Sequence, residues 1–540
     1  MKSHSIFDKN IVLITGFWLI VIFIINPIGD FPLNDDWAYG LIVKGMIENG
    51  TLKLINWGEM TLVTHLFYGY GFTSILGFSF TILRCSTLLL SLVCLLGIYQ
   101  TGLIVRLDKK TALIATLLVM ANPVFMALSF SYMTDVPFMT FVTWSTYFFI
   151  KAYNTANKKL LFIAICLCIW AVLMRQLALI LPIAWLIAFL IDARRKPFPH
   201  WWKWLPFLTV GGTLFLYNYF MKQHGMLPSN YGSKLDLVFS NLSHFDLRMF
   251  RNSVGYIFVF FTYMGLFLSP LLTLYQWSKL SKRMWVSITI YTILISGALI
   301  IMGKALPSID NIFVDFGVGP STLLDHPGGF RSIPGGNAPI LLRWAITLLG
   351  TFFGSILLIS SFEWLKKFRS AAMNFPKTFS FLFVFLYIAP FIVTGYYDRY
   401  LIILLPAAFI ILADNIALKS SIWSKGMMLS TLLIFMAFSV FATHDLLSWN
   451  RVRWAVIDSL LEKKIPLTQI EGGVEFDGFY HFTDDDPEWW KRITPTYKVT
   501  FVPLDNYTTL SVHPYKKWMP GKQGNIFLSK IKEVDHETPE

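Results

Sequence analysis

The sequence predicts an α-helical polytopic membrane protein, about thirteen transmembrane helices followed by a small external α+β domain. Three observations predict it. Of 540 residues, 55% are hydrophobic and only 14% charged, against about 25% charged in a soluble chain. Apolar runs long enough to cross a bilayer, roughly 17–25 residues, recur until late in the chain. Basic residues fall in short clusters in alternate connections between those runs, which is how membrane topology is encoded. The net charge of +13 is therefore a topology signal, and nucleic acid is not an expected partner.

The first run, 11–28, follows Lys2 and Lys9. It is long for a signal-peptide core and no small-residue cleavage site follows, so it reads as an uncleaved span with a cytoplasmic N-terminus. The next spans are 82–105, 111–129, 136–153, 160–173, 176–192, 204–221, 252–275, 284–302, 338–361, 379–395, 400–416 and 426–442. The pair 160–173 and 176–192 is one apolar run interrupted at Arg175-Gln176. A hairpin with its tip at Arg175 preserves the charge alternation, whereas a single bent helix inverts everything downstream. With the hairpin, the inner connections hold Arg106, Lys109 and Lys110; Lys151, Lys158 and Lys159; Arg194, Arg195, Lys196 and Lys203; Lys279, Lys282 and Arg283; Lys366, Lys367, Arg369 and Lys377; and Lys419 and Lys425. The short outer connections hold few. A cell (inner) membrane protein is expected, with its C-terminal domain extracytoplasmic.

The chain divides into a transmembrane domain, 1–442, and an external domain, 443–540. Three outer loops are long: 29–81, 222–251 and 303–337. The first contains an amphipathic stretch at 37–47 and an aromatic, glycine-dotted stretch at 64–80 that reads as interfacial. In the external domain, 449–461 has helical periodicity, and 497–502 and 526–531 alternate as strands do. Cys85, Cys94, Cys166 and Cys168 all lie in apolar runs, so no disulfide framework is expected. Cys166 and Cys168, two apart on a helix, point to different faces and make a poor zinc pair. The sequons at Asn49, Asn241 and Asn506 are of a kind that arises often by chance.

Ionisable residues near a bilayer are costly and mark functional sites. Four clusters fall at the outer ends of spans: Asp35-Asp36, Asp135 before Val136-Pro137, Arg175-Gln176, and Tyr396-Tyr397-Asp398-Arg399-Tyr400. Each also has a plain structural reading, as helix caps for the acids or as a local ion pair or interfacial anchor for Asp398-Arg399. Together, two acidic sites and two arginines on one face suit transfer from a phosphate-linked donor. A carboxylate accepts the proton of an acceptor hydroxyl, and an arginine neutralises the departing phosphate. Asp36 is the favoured base, Asp35 orients the loop or helps hold a divalent cation, and Asp135 supports the acceptor or the loop. Arg399, Arg175 and Asp398 are assigned to the donor phosphate, and Tyr397, Trp37, Gln176 and His65 to substrate. Asp325-His326, with Asp310 and Asp315, is a second candidate cation site. No other cofactor is indicated.

These residues resemble the GT-C superfamily of membrane glycosyltransferases, and within it the bacterial relatives of the protein O-mannosyltransferases and the lipid A aminoarabinose transferase. The resemblance rests on Asn34-Asp35-Asp36-Trp37, Thr134-Asp135-Val136-Pro137-Phe138, Arg175-Gln176 and Asp398-Arg399-Tyr400, in that order. Asp315-Phe316-Gly317-Val318-Gly319-Pro320 and Glu471-Gly472-Gly473-Val474-Glu475-Phe476-Asp477-Gly478 resemble stretches of bacterial members. The chain departs from closer relatives at Met60-Thr61-Leu62-Val63-Thr64-His65, where many carry a Lys/Pro-Pro-type segment. The resemblance implies a polyprenyl-phosphate sugar donor, an inverting single displacement at the outer membrane surface, and an envelope glycan, lipid or protein as acceptor. The alternatives are a transporter or flippase of a lipid-linked substrate, and an envelope glycan polymerase or ligase. Transporters favour midplane charges and internal repeats, and neither is visible in this sequence.

The charge alternation makes a direct prediction. A topology reporter fused to the C-terminus is expected to be active only outside the cytoplasm. Activity confined to the cytoplasm would overturn the hairpin at Arg175 and the assignment of faces.

Overall fold

The computed structural model describes residues 8–192, 198–277, 280–309, 311–316, 320–324, 332–370, 373–416, 421–486 and 488–532. The apolar runs become helices, and many start at a side chain able to accept from the free N–H groups of a first turn. Asp8, Ser79, Asp108, Asn157, Ser281, Asn374 and Ser421 all cap in this way. In chain order the first helices are α1 (Lys9–Ile25), α2 (Asp36–Asn49), α3 (Val63–Leu76), α4 (Phe80–Ile104), α5 (Lys109–Met120), α6 (Pro123–Ser129), α7 (Asp135–Thr155) and α8 (Lys158–Val172). A 3₁₀ turn, Gln176–Leu179, leads into α9 (Ile180–Ile191). Then follow α10 (Leu205–Gln223), α11 (Ser233–Ser243), α12 (Leu247–Leu272), α13 (Lys282–Ile301), α14 (Ile312–Asp315), the hairpin strands β1 (Pro320–Leu324) and β2 (Ser332–Asn337), α15 (Ile340–Arg369) and α16 (Phe375–Thr394). A second 3₁₀ segment, Asp398–Leu404, leads into α17 (Leu405–Leu412), and α18 (Ile422–Glu462) enters the external domain.

Every predicted span contains helix, but 111–129 is split between α5 and α6, and 176–192 and 400–416 each begin in a 3₁₀ segment, with the eight-residue α17 following in the latter. Among the described residues, six helices are long and apolar enough to cross a membrane alone, or seven if α5 and α6 count as one bent span. That bend is 66°, and it falls where Asn122 caps a new helix and Pro123 cannot continue the old one. The hairpin at Arg175 is present. Arg175 meets Asp135 at the start of α7, whereas Tyr153, near the other end of α7, donates to Asp192 just past α9. The chain thus runs up α8, turns at Arg175 and returns along α9.

The C-terminal domain, expected to be external, adds β3 (Ile470–Glu471), α19 (Val474–His481), β4 (Tyr497–Thr500), β5 (Tyr507–Tyr515) and β6 (Gly524–Ile531). The sheet order is β3-β4-β6-β5, with β3 and β4 parallel and the other pairs antiparallel. One element differs from expectation. The boundary expected at 442 falls inside α18, a single helix of 41 residues. Hydropathy drops after 442, but no proline interrupts the run from Ile422 to the Trp449–Leu461 region, and its one glycine, Gly426, lies near the start of the helix. Ser439 ties this helix to the α5–α6 bend by donating to the Ala121 carbonyl (2.6 Å).

Helices α12 and α15 cross in close contact through glycines. A methyl group at Gly265 would overlap the backbone of Gly350 and Gly354, while one at Gly297 on α13 would meet nothing. Overpacking of this kind costs about 1–3 kcal/mol. Gly265→Ala is expected to lower the thermal midpoint of the detergent-solubilised protein, and Gly297→Ala to leave it unchanged or raise it. Equal midpoints for the two variants would contradict this packing.

Candidate active site

Two helices begin at this site with a capping residue that does not cap. Asp35 stands before α2 and Thr134 before α7, and neither side chain bonds its own first turn. Both are used across the fold instead. Asp35 Oδ2 accepts from both terminal nitrogens of Arg399 at 3.3 Å, and its Oδ1 accepts from the Trp57 indole at 3.2 Å. Thr134 Oγ1 accepts from Arg175 Nε at 2.9 Å. Arg175 Nη2 also lies 2.9 Å from Asp135 Oδ1 as an ion pair, without hydrogen-bond alignment, and Asp135 Oδ2 is buried without a partner.

These two arginine–carboxylate pairs face one another. The Tyr400 ring lies 5.9 Å from the Arg175 guanidinium and 5.7 Å from that of Arg399. Arg399 is in the field of both Asp135 and Asp35, and Tyr39 in the field of all four charges. Burial raises the Tyr39 phenol well above its ordinary value. Arg399 Nε is buried and unpartnered. Segments at 35, 134–135, 175 and 399, distant in sequence, thus build one charged pocket wall. Such a wall can hold an oxyanion between two guanidiniums and set a carboxylate beside it.

The other predicted residues sit as follows. Asp36, the favoured base, is 1% exposed. Its Oδ1 accepts from Leu33 N (2.5 Å) and its Oδ2 from Tyr132 N (2.9 Å), so it ties the first loop to the α6–α7 turn. Burial pushes its carboxyl up to about 8, opposed by those two N–H bonds and by Arg84. The Asp35 side chain, by contrast, is 32% exposed. Asp398 is buried, and its oxygens accept from Ile312 N (3.1 Å) and Phe313 N (2.8 Å). It moors α14 of the third loop through both oxygens. His65 is buried, stacked on Tyr132 at 4.1 Å with Nε2 bonded to the Tyr132 carbonyl. Burial brings its imidazole down to about 3. Trp37 is buried against Trp57 and Phe482. Gln176 donates to the Glu59 carbonyl (3.0 Å). Of the four assigned to substrate, Tyr397 is the exposed one, at 39%, with its ring 5.1 Å from the Arg399 guanidinium. Asp310, Asp325 and His326 lie outside the described residues, and of Asp315 only the backbone is described. Among the described residues, no three His, Cys, Asp or Glu side chains gather as a metal site.

Several residues carry the site without having been assigned to it. Tyr39 lies in the 37–47 stretch of the first loop, and Tyr400 closes the Asp398-Arg399-Tyr400 motif. Arg84 is a lone arginine in an apolar span, a signal in itself. It donates to the carbonyls of Pro27 (2.5 Å), Gly29 (3.0 Å) and Phe31 (3.0 Å). Arg451 of α18 binds the carbonyls of Ile28 (2.8 Å) and Asn26. Two guanidiniums therefore hold the backbone that leads to Asp35-Asp36.

Residues 65–219 match the family model of dolichyl-phosphate-mannose-protein mannosyltransferase. No curated protein sequence matches the chain. Among solved structures, ArnT from Cupriavidus metallidurans bound to undecaprenyl phosphate is 13% identical, with TM-score 0.42, over 96% of this chain and 97% of that one. The oligosaccharyltransferase from Archaeoglobus fulgidus, tethered with an acceptor peptide, is 13% identical, with TM-score 0.43, over 91% and 69%. The protein O-mannosyltransferase complex of S. cerevisiae bound to the sugar donor is 16% identical, with TM-score 0.33, over 42% and 36%.

Removing one partner of a buried ion pair strands the other charge, at about 3–5 kcal/mol. Asp135→Asn and Arg175→Gln are each expected to destabilise the protein strongly. The double variant is expected to lose less than the sum of the two. Strict additivity of the thermal shifts in this double-mutant cycle would deny the pairing.

Proposed function

We propose that the protein is a membrane glycosyltransferase of GT-C type with thirteen spans. It moves a hexosyl or pentosyl group from a polyprenyl-phosphate donor to a hydroxyl of an envelope glycan, lipid or protein, at the outer face of the inner membrane and with inversion. The observation that carries the proposal is the meeting of two arginine–carboxylate pairs, Arg175–Asp135 and Arg399–Asp35, about the Tyr400 ring. The match of residues 65–219 to the mannosyltransferase model supports the same chemistry.

In the proposed reaction the acceptor oxygen bonds to the anomeric carbon as the bond from that carbon to the phosphate oxygen breaks. The bonding pair leaves with the polyprenyl phosphate, which gains a negative charge. The acceptor's proton goes to a carboxylate. Guanidiniums aimed at the departing phosphate stabilise the charge that develops there, and the unpartnered Arg399 Nε is available for one of its oxygens. Asp35 is assigned the base in place of Asp36. Asp35 is the open member of the pair, while both oxygens of Asp36 are occupied by backbone N–H groups. Asp135 keeps Arg175 oriented. Tyr397 and Trp57 are assigned to the sugar or the acceptor. A lipid chain on the donor accounts for a site built at the ends of apolar helices.

The test is transfer by purified protein from a polyprenyl-phosphate sugar. A general base contributes about 10²–10⁴-fold, so Asp35→Asn is expected to lose transfer by that order and still bind donor. Arg399→Lys keeps the charge but loses the two-pronged geometry; it should weaken donor binding, and Arg399→Ala should weaken it more. Near-normal turnover by Asp35→Asn would overturn the assignment of the base, and no transfer by the wild-type protein from polyprenyl-phosphate sugars would sink the proposal and bring the transporter reading forward. Mass spectrometry of envelope glycans and lipids, with and without the gene, would identify the transferred sugar and its acceptor.

A further inference from the structure

The acidic loop is held from a second direction, by the external domain. Asn34 precedes the assigned base and has left-handed backbone geometry, φ 54°, which asparagine tolerates better than most residues but glycine adopts at less cost. Its N–H donates to Glu475 Oε1 at 3.3 Å. Glu475 is fixed in turn, because its Oε2 accepts from Arg453 Nη2 at 2.9 Å. Arg453 is fully buried on α18, and its remaining donors reach the Gly472 carbonyl (2.7 Å) and Asn450 Oδ1 (3.2 Å). The same face of α19 presses on the loop one turn further along, where a methyl group at Gly478 would overlap the Trp37 indole.

We infer that Glu475 is a positioning residue through which the external domain sets the conformation of the Asn34-Asp35 turn, and with it the rate of the transfer step. The inference rests on the glycosyltransferase reading given above. Glu475 meets the backbone of Asn34 and the guanidinium of Arg453, and neither is assigned to a substrate. The donor phosphate is assigned to Arg175 and Arg399, which belong to other segments. Loss of Glu475 should therefore release the turn and leave the phosphate contacts in place. A reactive group displaced by about 1 Å can lose on the order of 10²-fold in rate. The effect should fall on kcat, with donor KM little changed.

Three variants and two readouts test this. With purified protein and a polyprenyl-phosphate sugar, Glu475→Ala is expected to lower kcat by about tenfold to a hundredfold, with donor KM within about twofold. Glu475→Gln keeps an acceptor for the Asn34 N–H and gives up the charge on Arg453, so its loss should be smaller. Glycine adopts the left-handed conformation without help, so Asn34→Gly added to Glu475→Ala should restore part of kcat. A general loss of folding would not be rescued in this way. The second readout is amide hydrogen exchange over residues 31–40, which needs no substrate and so stays informative even if no sugar transfer is found. Exchange there should quicken in Glu475→Ala and recover toward wild type in Glu475→Gln. Unchanged exchange over 31–40 in both variants, or a donor KM that rises in step with the fall in kcat, would overturn the inference. If Glu475→Ala does not accumulate folded, Glu475→Gln carries the test by its exchange and its kcat, and wild-type values for both would overturn the inference equally.

Discussion

The ion pair between Arg175 and Asp135 is the constraint on which this end of the molecule is built. Both side chains are buried, and a buried unpaired charge costs several kcal/mol. The tip of the α8–α9 hairpin and the start of α7 therefore cannot separate without leaving a charge stranded in an apolar wall. Asp135 also opens α7, where the helix dipole favours a negative charge. Arg175 takes Thr134 as a second acceptor, so the cap of α7 is given up to the pair. The first loop builds on this anchor: Thr61 Oγ1 donates to the Val172 carbonyl (2.8 Å), Leu62 N to that of Met174 (3.1 Å), and Gln176 to that of Glu59.

Much of this was legible in the sequence, for physical reasons. Span positions follow from the length and apolarity that a bilayer demands, and each predicted segment contains helix, six or seven of them long and apolar enough to cross a membrane among the described residues. The hairpin at Arg175 followed from charge alternation alone, and the opposite-end contacts of Asp135 and Tyr153 bear it out. The convergence of Asp35, Asp135, Arg175 and Arg399 was legible because charges at span ends are costly and few. What periodicity could not read was the division of roles between neighbours. Asp35 and Asp36 are adjacent, and which one turns inward depends on Tyr132, nearly a hundred residues away. Asp398 and Arg399 are adjacent too, and the carboxylate is claimed by two amides of the third loop. Trp37 and His65 read as substrate residues of the first loop because nothing local says that α19 and Tyr132 cover them.

The same chemistry serves two ends in this structure. Carboxylates that hold the fold bind backbone N–H groups with both oxygens: Asp36 moors the first loop, Asp398 the third, and Asp445 the 518–519 turn, by accepting from Trp518 N (2.7 Å) and Met519 N (2.9 Å). Carboxylates at the assigned site bind guanidiniums instead, and each keeps something in reserve, partial exposure for Asp35 and an unpartnered oxygen for Asp135. Backbone amides are fixed donors that nothing replaces, so an acid bound to two of them is structural. A guanidinium can exchange one oxyanion for another, so an acid bound to it can be released when a phosphate arrives.

In the proposed reaction that exchange requires the acid to stay put while its partner turns to the donor phosphate, and the loop is tied down from several directions. Arg84 and Arg451 hold its entering backbone by five carbonyls, Asp36 holds it from below, and Glu475 holds it from the external domain. Arg451 and Arg453 both stand on α18, the helix that continues unbroken from the apolar bundle into the external domain. A stop at residue 442 would remove both arginines from that rigid frame. The length of α18 is therefore part of the site: it carries the position of the bundle into the domain that steadies Asn34 and Asp35.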